Sequence, residues 1–112
     1  MNFIIKLLLS ALAVYLTALI LPGVSIKNYV TAIAVAIIIG LLNVFVKPIL
    51  ILLTIPVTVI TLGLFLFVIN AGIILLSSYL MNGFNVDGFW WALLFSFVLS
   101  IISEILGGFT SN

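Results

Sequence analysis

Four long apolar runs, each closed by proline or glycine, organise the chain. The first extends from about Phe3 to Leu21 and stops at Pro22-Gly23, and the second, from about Tyr29 to Val46, stops at Lys47-Pro48. The third extends from about Thr61 to Met81 and stops at Asn82-Gly83, and the fourth, from about Phe89 to Leu106, stops at Gly107-Gly108. Each run approaches the roughly 20 residues with which an α-helix crosses a hydrocarbon core of about 30 Å while satisfying its own backbone hydrogen bonds. Spanning strands would instead be about 10 residues of alternating polarity, and no such alternation recurs along the runs. The pattern predicts an all-α membrane protein with four transmembrane helices.

The few small and polar positions repeat. When the chain is shifted by sixty residues against itself, Ser10-Ala11 and Thr17-Ala18 fall on Asn70-Ala71 and Ser77-Ser78, and Gly23 falls on Gly83. Ala32, Ala36, Gly40 and Asn43 fall on Ala92, Ser96, Ser100 and Ser103. The chain therefore reads as one helical hairpin written twice in tandem, at 3–46 and 61–106, within a single integral membrane domain covering 1–112. Residues 47–60 form a linker without a counterpart, in which Pro48 and Pro56 each remove a backbone donor that a continuous helix would use. A bent interfacial or partly re-entrant linker leaves the hairpins parallel, whereas a crossing linker gives five spans and inverted hairpins, as in many transporters. The non-crossing linker with parallel hairpins is the expectation.

Composition narrows the chemistry. Hydrophobic residues make up 67% of the 112 positions and charged residues 4%, against about 25% charged in an ordinary soluble domain. Such a chain cannot coat a globule with polar surface. Lys6, Lys27, Lys47, Asp87 and Glu104 are scattered, and a net charge of +1 offers no cluster to neutralise nucleic-acid phosphates. Histidine and cysteine are absent, which removes disulfides, thiol chemistry, imidazole metal sites and histidine acid/base catalysis. One Asp and one Glu, expected on opposite sides of the membrane, do not make paired carboxylates, so no enzyme activity, cofactor or metal is expected. Lys6 before an apolar run resembles the start of a secretory signal, but the run exceeds the signal's apolar core of about 7 to 15 residues. Its counterpart at 61–81 is internal, so the first helix is expected to be retained. With Lys6 and Lys47 on one side and Lys27 with Asp87 on the other, the positive-inside rule places both termini in the cytoplasm by a margin of one lysine.

The polar exceptions supply the candidate functional residues. The turns Gly23-Val24-Ser25-Ile26-Lys27-Asn28-Tyr29 and Gly83-Phe84-Asn85-Val86-Asp87-Gly88-Phe89 share a glycine, two apolar residues at alternate positions, and an aromatic that opens the next helix. Glycine there permits a special backbone angle, and the aromatics, with Trp90 and Trp91, suit the membrane interface. Lys27 and Asp87 are candidates for an exposed pair, worth about 0 to 1 kcal/mol, that orients the hairpins. The stripes Ala32, Ala36, Gly40, Asn43 and Ala92, Ser96, Ser100, Ser103 each occupy one helix face. Small residues let backbones approach closely, so the stripes are expected to be packing faces, within or between copies of the chain, with a pore lining as the alternative. Asn43 and Asn70 would be costly if left unpaired in hydrocarbon, and interhelical hydrogen bonds are expected of both. Glu104 is expected to snorkel or to pair with Lys6 or Lys47.

Asn43 with Lys47-Pro48, then Pro56, Thr61-Leu62-Gly63-Leu64-Phe65, Ile69-Asn70-Ala71, Gly83-Phe84-Asn85-Val86 and Phe89-Trp90-Trp91-Ala92 together resemble the four-span phage holin superfamily IV. The similarity covers nearly the whole chain, with Lys47 where that family often has arginine, a change that keeps the charge and loses the planar fork. The resemblance implies a four-helix protein of a bacterial or phage inner membrane, and the holin label implies oligomers that permeabilise the membrane so that lytic enzymes reach the wall. Ala36, Gly40, Asn43, Asn70, Ser96, Ser100 and Ser103 are then the packing or pore candidates, and Gly23, Pro48, Pro56, Gly63 and Gly83 set the turns and linker. The expected partners are the lipid bilayer and further copies of the chain. Two alternatives stay open: a non-lytic accessory or stress-response module that binds a membrane-protein partner or lipid, and a small channel or exporter subunit. Small multidrug exporters carry an essential carboxylate in the first helix, and this first helix has none.

Overall fold

The computed structural model describes residues 2–110, with side chains through Gly108; Met1, Ser111 and Asn112, which the single-domain expectation includes, lie outside the described residues. Along the chain come α1 (Phe3–Ile20), β1 (Val24–Ile26), α2 (Tyr29–Phe45), α3 (Lys47–Leu53), α4 (Ile55–Ile60), α5 (Phe65–Leu80), β2 (Phe84–Val86) and α6 (Phe89–Thr110). Asparagines start the first two helices. Asn2 Oδ1 accepts from the Ile4 N–H at 2.7 Å, and Asn28 Oδ1 accepts from both the N–H and the hydroxyl of Thr31, at 2.8 and 2.9 Å, satisfying donors that a helix N-terminus leaves free. α1 packs on α2 and α5 on α6 as two hairpins, while α1 against α6 and α2 against α5 close a ring. α2 and α6 lie diagonally across it.

The two hairpin turns pair with each other. β1 and β2 run antiparallel, with Val24 opposite Val86, Ser25 opposite Asn85 and Ile26 opposite Phe84. Past the strands, the Lys27 N–H donates to the Gly83 carbonyl and the Asp87 N–H donates to the Gly23 carbonyl, both at 2.8 Å. These two bonds exchange under the sixty-residue shift, so a local two-fold axis passes between Ser25 and Asn85. The alternating residues of the turns sort by face as a strand requires: Val24 and Phe84 are buried, and Ser25 and Asn85 are exposed. Lys27 and Asp87 form no ion pair among the described residues; their backbones, not their charges, join the hairpins. Both turns consequently lie at one end of the bundle, and the α3–α4 linker lies at the other.

Packing is concentrated near the sheet. Ala11, Ala13, Val14 and Thr17 of α1 are buried, as are Ala71, Ile73, Ile74 and Ser77 of α5, each sixty residues on. Thr17 and Ser77 satisfy their hydroxyls inside their own helices, donating to Ala13 O and Ile73 O at 2.6 and 2.9 Å. Phe84 and Phe95, both fully buried, meet in a tilted contact with ring centroids 5.4 Å apart and planes inclined by 60°. Dispersion between such close-packed groups, more than any driving force from water, holds helices together in lipid.

α2 closes at Phe45 with Val46 as its cap, as expected ahead of Lys47-Pro48; the Leu50 N–H then donates to Val46 O at 3.1 Å, so α3 follows directly and the apolar stretch extends over Tyr29–Leu53. Two other boundaries depart from the sequence expectation. Pro48 and Pro56 sit in the first turns of α3 and α4, where a missing N–H costs little. The third span starts at Phe65 and not at Thr61. Ahead of it, the Gly63 N–H donates to Thr58 O at 2.8 Å and the Leu62 N–H to Val59 O at 3.1 Å, with Leu62 at φ 58° and Gly63 at φ 89°. That is a Schellman-type helix end with leucine in the left-handed position. Thr61 then caps α5, its Oγ1 accepting from the Phe65 N–H at 3.1 Å. Among the described residues, three helical stretches are thus long and apolar enough to span, beside the shorter apolar α5. α6 continues through Gly107-Gly108 to Thr110, since a helical glycine costs only about 1 kcal/mol relative to alanine. No residue of α3 or α4 is buried, and Ile49, Leu52, Leu53, Val59 and Ile60 are left to face lipid.

The turn glycines are needed for different reasons. Gly83 has φ 91°, a left-handed angle that a side chain strains. Gly23 does not use such an angle; instead a Cβ there would overlap the Trp91 indole. Thr31, the counterpart of Trp91, would meet a Cβ on Gly83 at 3.4 Å, so each glycine lies under the second helix of the other hairpin. Gly23→Ala should lower stability by about 1–3 kcal/mol through overpacking, read as a lower unfolding temperature in detergent, and the loss should shrink in a Trp91→Leu background. In this cysteine-free chain, Ser25→Cys and Asn85→Cys should be bridged within one molecule by a short thiol crosslinker. An impermeant maleimide should reach both from the same side of the membrane, and labelling from opposite sides would contradict the strand pairing.

Candidate functional site

Away from the sheet, the four-helix ring holds two adjoining clefts instead of a packed seam. One, of about 120 Å³, is lined by Ile39, Asn43, Lys47, Asn70, Ile73, Ile74, Ser96, Leu99 and Ser100. The other, of about 280 Å³, is lined by Ser10, Val14, Ala36, Ile39, Gly40, Asn43, Leu99, Ser100 and Ser103. The sixty-residue shift carries Ile39, Asn43, Asn70, Ile74, Ser96, Leu99 and Ser100 of the first onto Leu99, Ser103, Ser10, Val14, Ala36, Ile39 and Gly40 of the second. The clefts are therefore counterparts about the axis that the sheet defines. Lys47 breaks the correspondence, because Gly107 stands at its counterpart position. A third groove of about 370 Å³, where Lys6 and Ser10 meet Gly40 and Val44, lies between α1 and α2.

The small-residue stripes divide between these environments. Ala32 and Ala92 are fully buried, and Ala36 and Ser96 are 8% exposed. Ser96 donates to Leu93 O at 2.9 Å and so spends its proton inside α6. One turn further on, Gly40, Asn43, Ser100 and Ser103 are exposed, and a Cβ on Gly40 would meet nothing within 4 Å. Close packing, expected along the whole of both stripes, is absent over this half within the chain. The cause is geometric: α2 and α6 are diagonal, and the sheet draws their ends together only on its own side.

Asn43 is exposed and Asn70 half-buried, and neither side chain hydrogen-bonds to any described residue. The interhelical bonds expected of them are not formed; both amides line the smaller cleft. Glu104 is exposed and makes no ion pair with Lys6 or Lys47 among the described residues. Pro48, Pro56 and Gly63 shape the linker, and Gly23 and Gly83 the sheet end, none of them lining either cleft. Sequence reasoning left out Ser10 and Lys47 as cleft residues. A signal existed for Lys47, which follows Asn43 by one turn on the same face, but Pro48 made it look like a helix end. Chemically, the smaller cleft offers an ammonium, two amides and two hydroxyls over an apolar floor. Such a set binds by charge and hydrogen bonding, and the described residues hold no cluster suited to a metal ion.

These features define a small polytopic α-helical membrane protein, its hairpins tied at their turns and open at the opposite end. The chain belongs to the phage holin superfamily IV: residues 1–105 match the family described as Mycobacterial 4 TMS phage holin, superfamily IV. It is 37% identical over 103 residues to the uncharacterized membrane protein YvlD of Bacillus subtilis (strain 168), covering 91% of this chain and 87% of that one. It is also 37% identical over 118 residues to the uncharacterized protein SCO3922 of Streptomyces coelicolor, covering 96% and 94% respectively. No solved structure matches the chain.

The split stripe yields a paired prediction. Gly40→Leu should not destabilise, and should gain up to about 1 kcal/mol from replacing a helical glycine in open space, whereas Ala32→Leu should lose about 1–3 kcal/mol. Thermal unfolding of the two purified variants compares them directly, and the reverse order would place the packed half at the wrong end.

Proposed function

We propose that the protein is a holin-like component of a bacterial cytoplasmic membrane, with termini and linker on the cytoplasmic side, whose copies associate and render the membrane permeable. The observation that carries this reading is the pair of amides, Asn43 and Asn70, that line an open cleft without a partner among the described residues. An amide without a partner in hydrocarbon costs several kcal/mol, roughly 2–7 depending on the reference state. Association of copies that brings these groups together, or shelters water among them, removes that cost. A single copy has no open path along its axis, because Phe84, Phe95 and the buried alanines fill the sheet half. Permeation on this reading therefore belongs to an assembly. Membership of a holin family supports it, and Lys6 and Lys47 at the linker end, against Lys27 and Asp87 at the other, support the orientation.

Induced expression in a bacterium, followed by entry of an impermeant dye and by crosslinking, tests the proposal. The wild type should form crosslinked oligomers and admit dye above a threshold level. Asn43→Leu with Asn70→Leu, which makes the cleft apolar at similar volume, should accumulate normally and lose dye entry. High expression of the wild type without leak, with purification as a complex with a different membrane protein, would instead favour a non-lytic accessory role.

A further inference from the structure

Lys47 is the one charged residue in the apolar stretch Tyr29–Leu53, and it lines the smaller cleft together with Asn43, Asn70 and Ser100. We propose that this cleft is a binding site for the phosphate headgroup of an anionic phospholipid, drawn from the leaflet at the linker end. The first argument is charge. Lys47 is half-buried, the cleft contains no carboxylate, and no ion pair reaches Lys47 among the described residues. An ammonium at the edge of hydrocarbon without a counter-charge is costly, and the bilayer itself supplies phosphate.

The second argument is the set of donors. Asn43, Asn70 and Ser100 come from three different helices and have no side-chain hydrogen-bond partner among the described residues. Their N–H and O–H groups are suited to phosphate oxygens, and hydrogen bonds to an ionised acceptor are about twice as strong as neutral ones. The third argument is shape. The cleft, of about 120 Å³ and open at its rim, has room for a phosphate group. Beyond the cleft, α3 exposes Ile49, Leu52 and Leu53, an apolar track on which an acyl chain can lie. The adjoining cleft shares Asn43 and Ser100 but has Ser10 in place of Asn70 and no cation. The lysine and Asn70 therefore distinguish the proposed site from it. None of this requires that the protein permeabilise the membrane.

Native mass spectrometry of the full chain from detergent, titrated with phosphatidylglycerol or phosphatidylcholine, tests the site. One phosphatidylglycerol per chain should bind, and Lys47→Met should weaken it by about tenfold, the loss expected for one charge-assisted contact. Lys6→Met, which removes an equal charge at the same end of the bundle, should change the affinity by less than about twofold. Should Lys47→Met fail to accumulate, Asn70→Leu should produce the same selective loss. Equal weakening by the Lys6 and Lys47 variants would reduce the effect to surface attraction and overturn the site. So would equal binding of the two lipids, and saturation by inorganic phosphate as effective as the lipid would overturn the lipid assignment in favour of a free anion.

Discussion

A backbone amide at the edge of a membrane must find a partner, and in this chain the amides of each hairpin turn find theirs in the other turn. The bonds from Lys27 to Gly83 and from Asp87 to Gly23 bracket three paired residues on each strand. Because equivalent residues meet antiparallel, the pairing imposes a two-fold axis on everything attached to it. It puts both turns at one end, makes α1 and α5 equivalent, and leaves α2 and α6 to face each other diagonally. The contacts of Gly23 with Trp91 and of Gly83 with Thr31 follow from the same operation. A helical membrane protein here owes its arrangement to six residues of β-structure.

One tied end implies one free end. Near the sheet, side chains as small as alanine fill the space between helices, and Phe84 with Phe95 fills what remains. Farther away no backbone link holds the diagonal helices together, and the side chains on their facing stripes are too short to bridge the gap. Gly40, Ser100 and Ser103 cannot close it. The clefts are therefore the geometric remainder of a bundle closed at one end, and small polar residues are the ones left lining them. Packing residue and cleft residue are roles set by distance from the sheet, not by residue type.

That distinction explains what could be read in the sequence. The spans were legible because hydrocarbon admits few alternatives to a long apolar helix, and the sixty-residue echo was legible because polar exceptions are rare enough to align. The strands were not. Val24-Ser25-Ile26 and Phe84-Asn85-Val86 do alternate, but three residues are too few for periodicity to count, and their bonds are made by backbone atoms that every residue carries. Helix ends were misread where one residue type has two uses: Gly107 and Gly108 continue α6 although glycine commonly ends a helix, and Leu62 takes a left-handed angle ordinarily reserved for glycine. The stripes showed which residues share a face, and nothing in their spacing tells how far along that face a neighbour remains in contact.

Departures from two-fold symmetry then become the informative positions. A duplicated hairpin that only had to pack would tolerate the same residues in both clefts. Here the amide Asn70 answers the hydroxyl Ser10, Asn43 answers Ser103, and Lys47 answers Gly107. The linker accounts for the last difference, since α3 follows α2 directly and opens on Lys47, placing a cation at the rim of one cleft. α3 can start directly after Val46 because Pro48 falls in its first turn, where a missing N–H costs little. Lys47 opens α3, four residues from Asn43, and lines the same cleft. A charge fixed in that way, in apolar surroundings and without a counter-ion in its cleft, is not explained by packing. It requires something outside the chain to balance it, and the nearest source is the membrane.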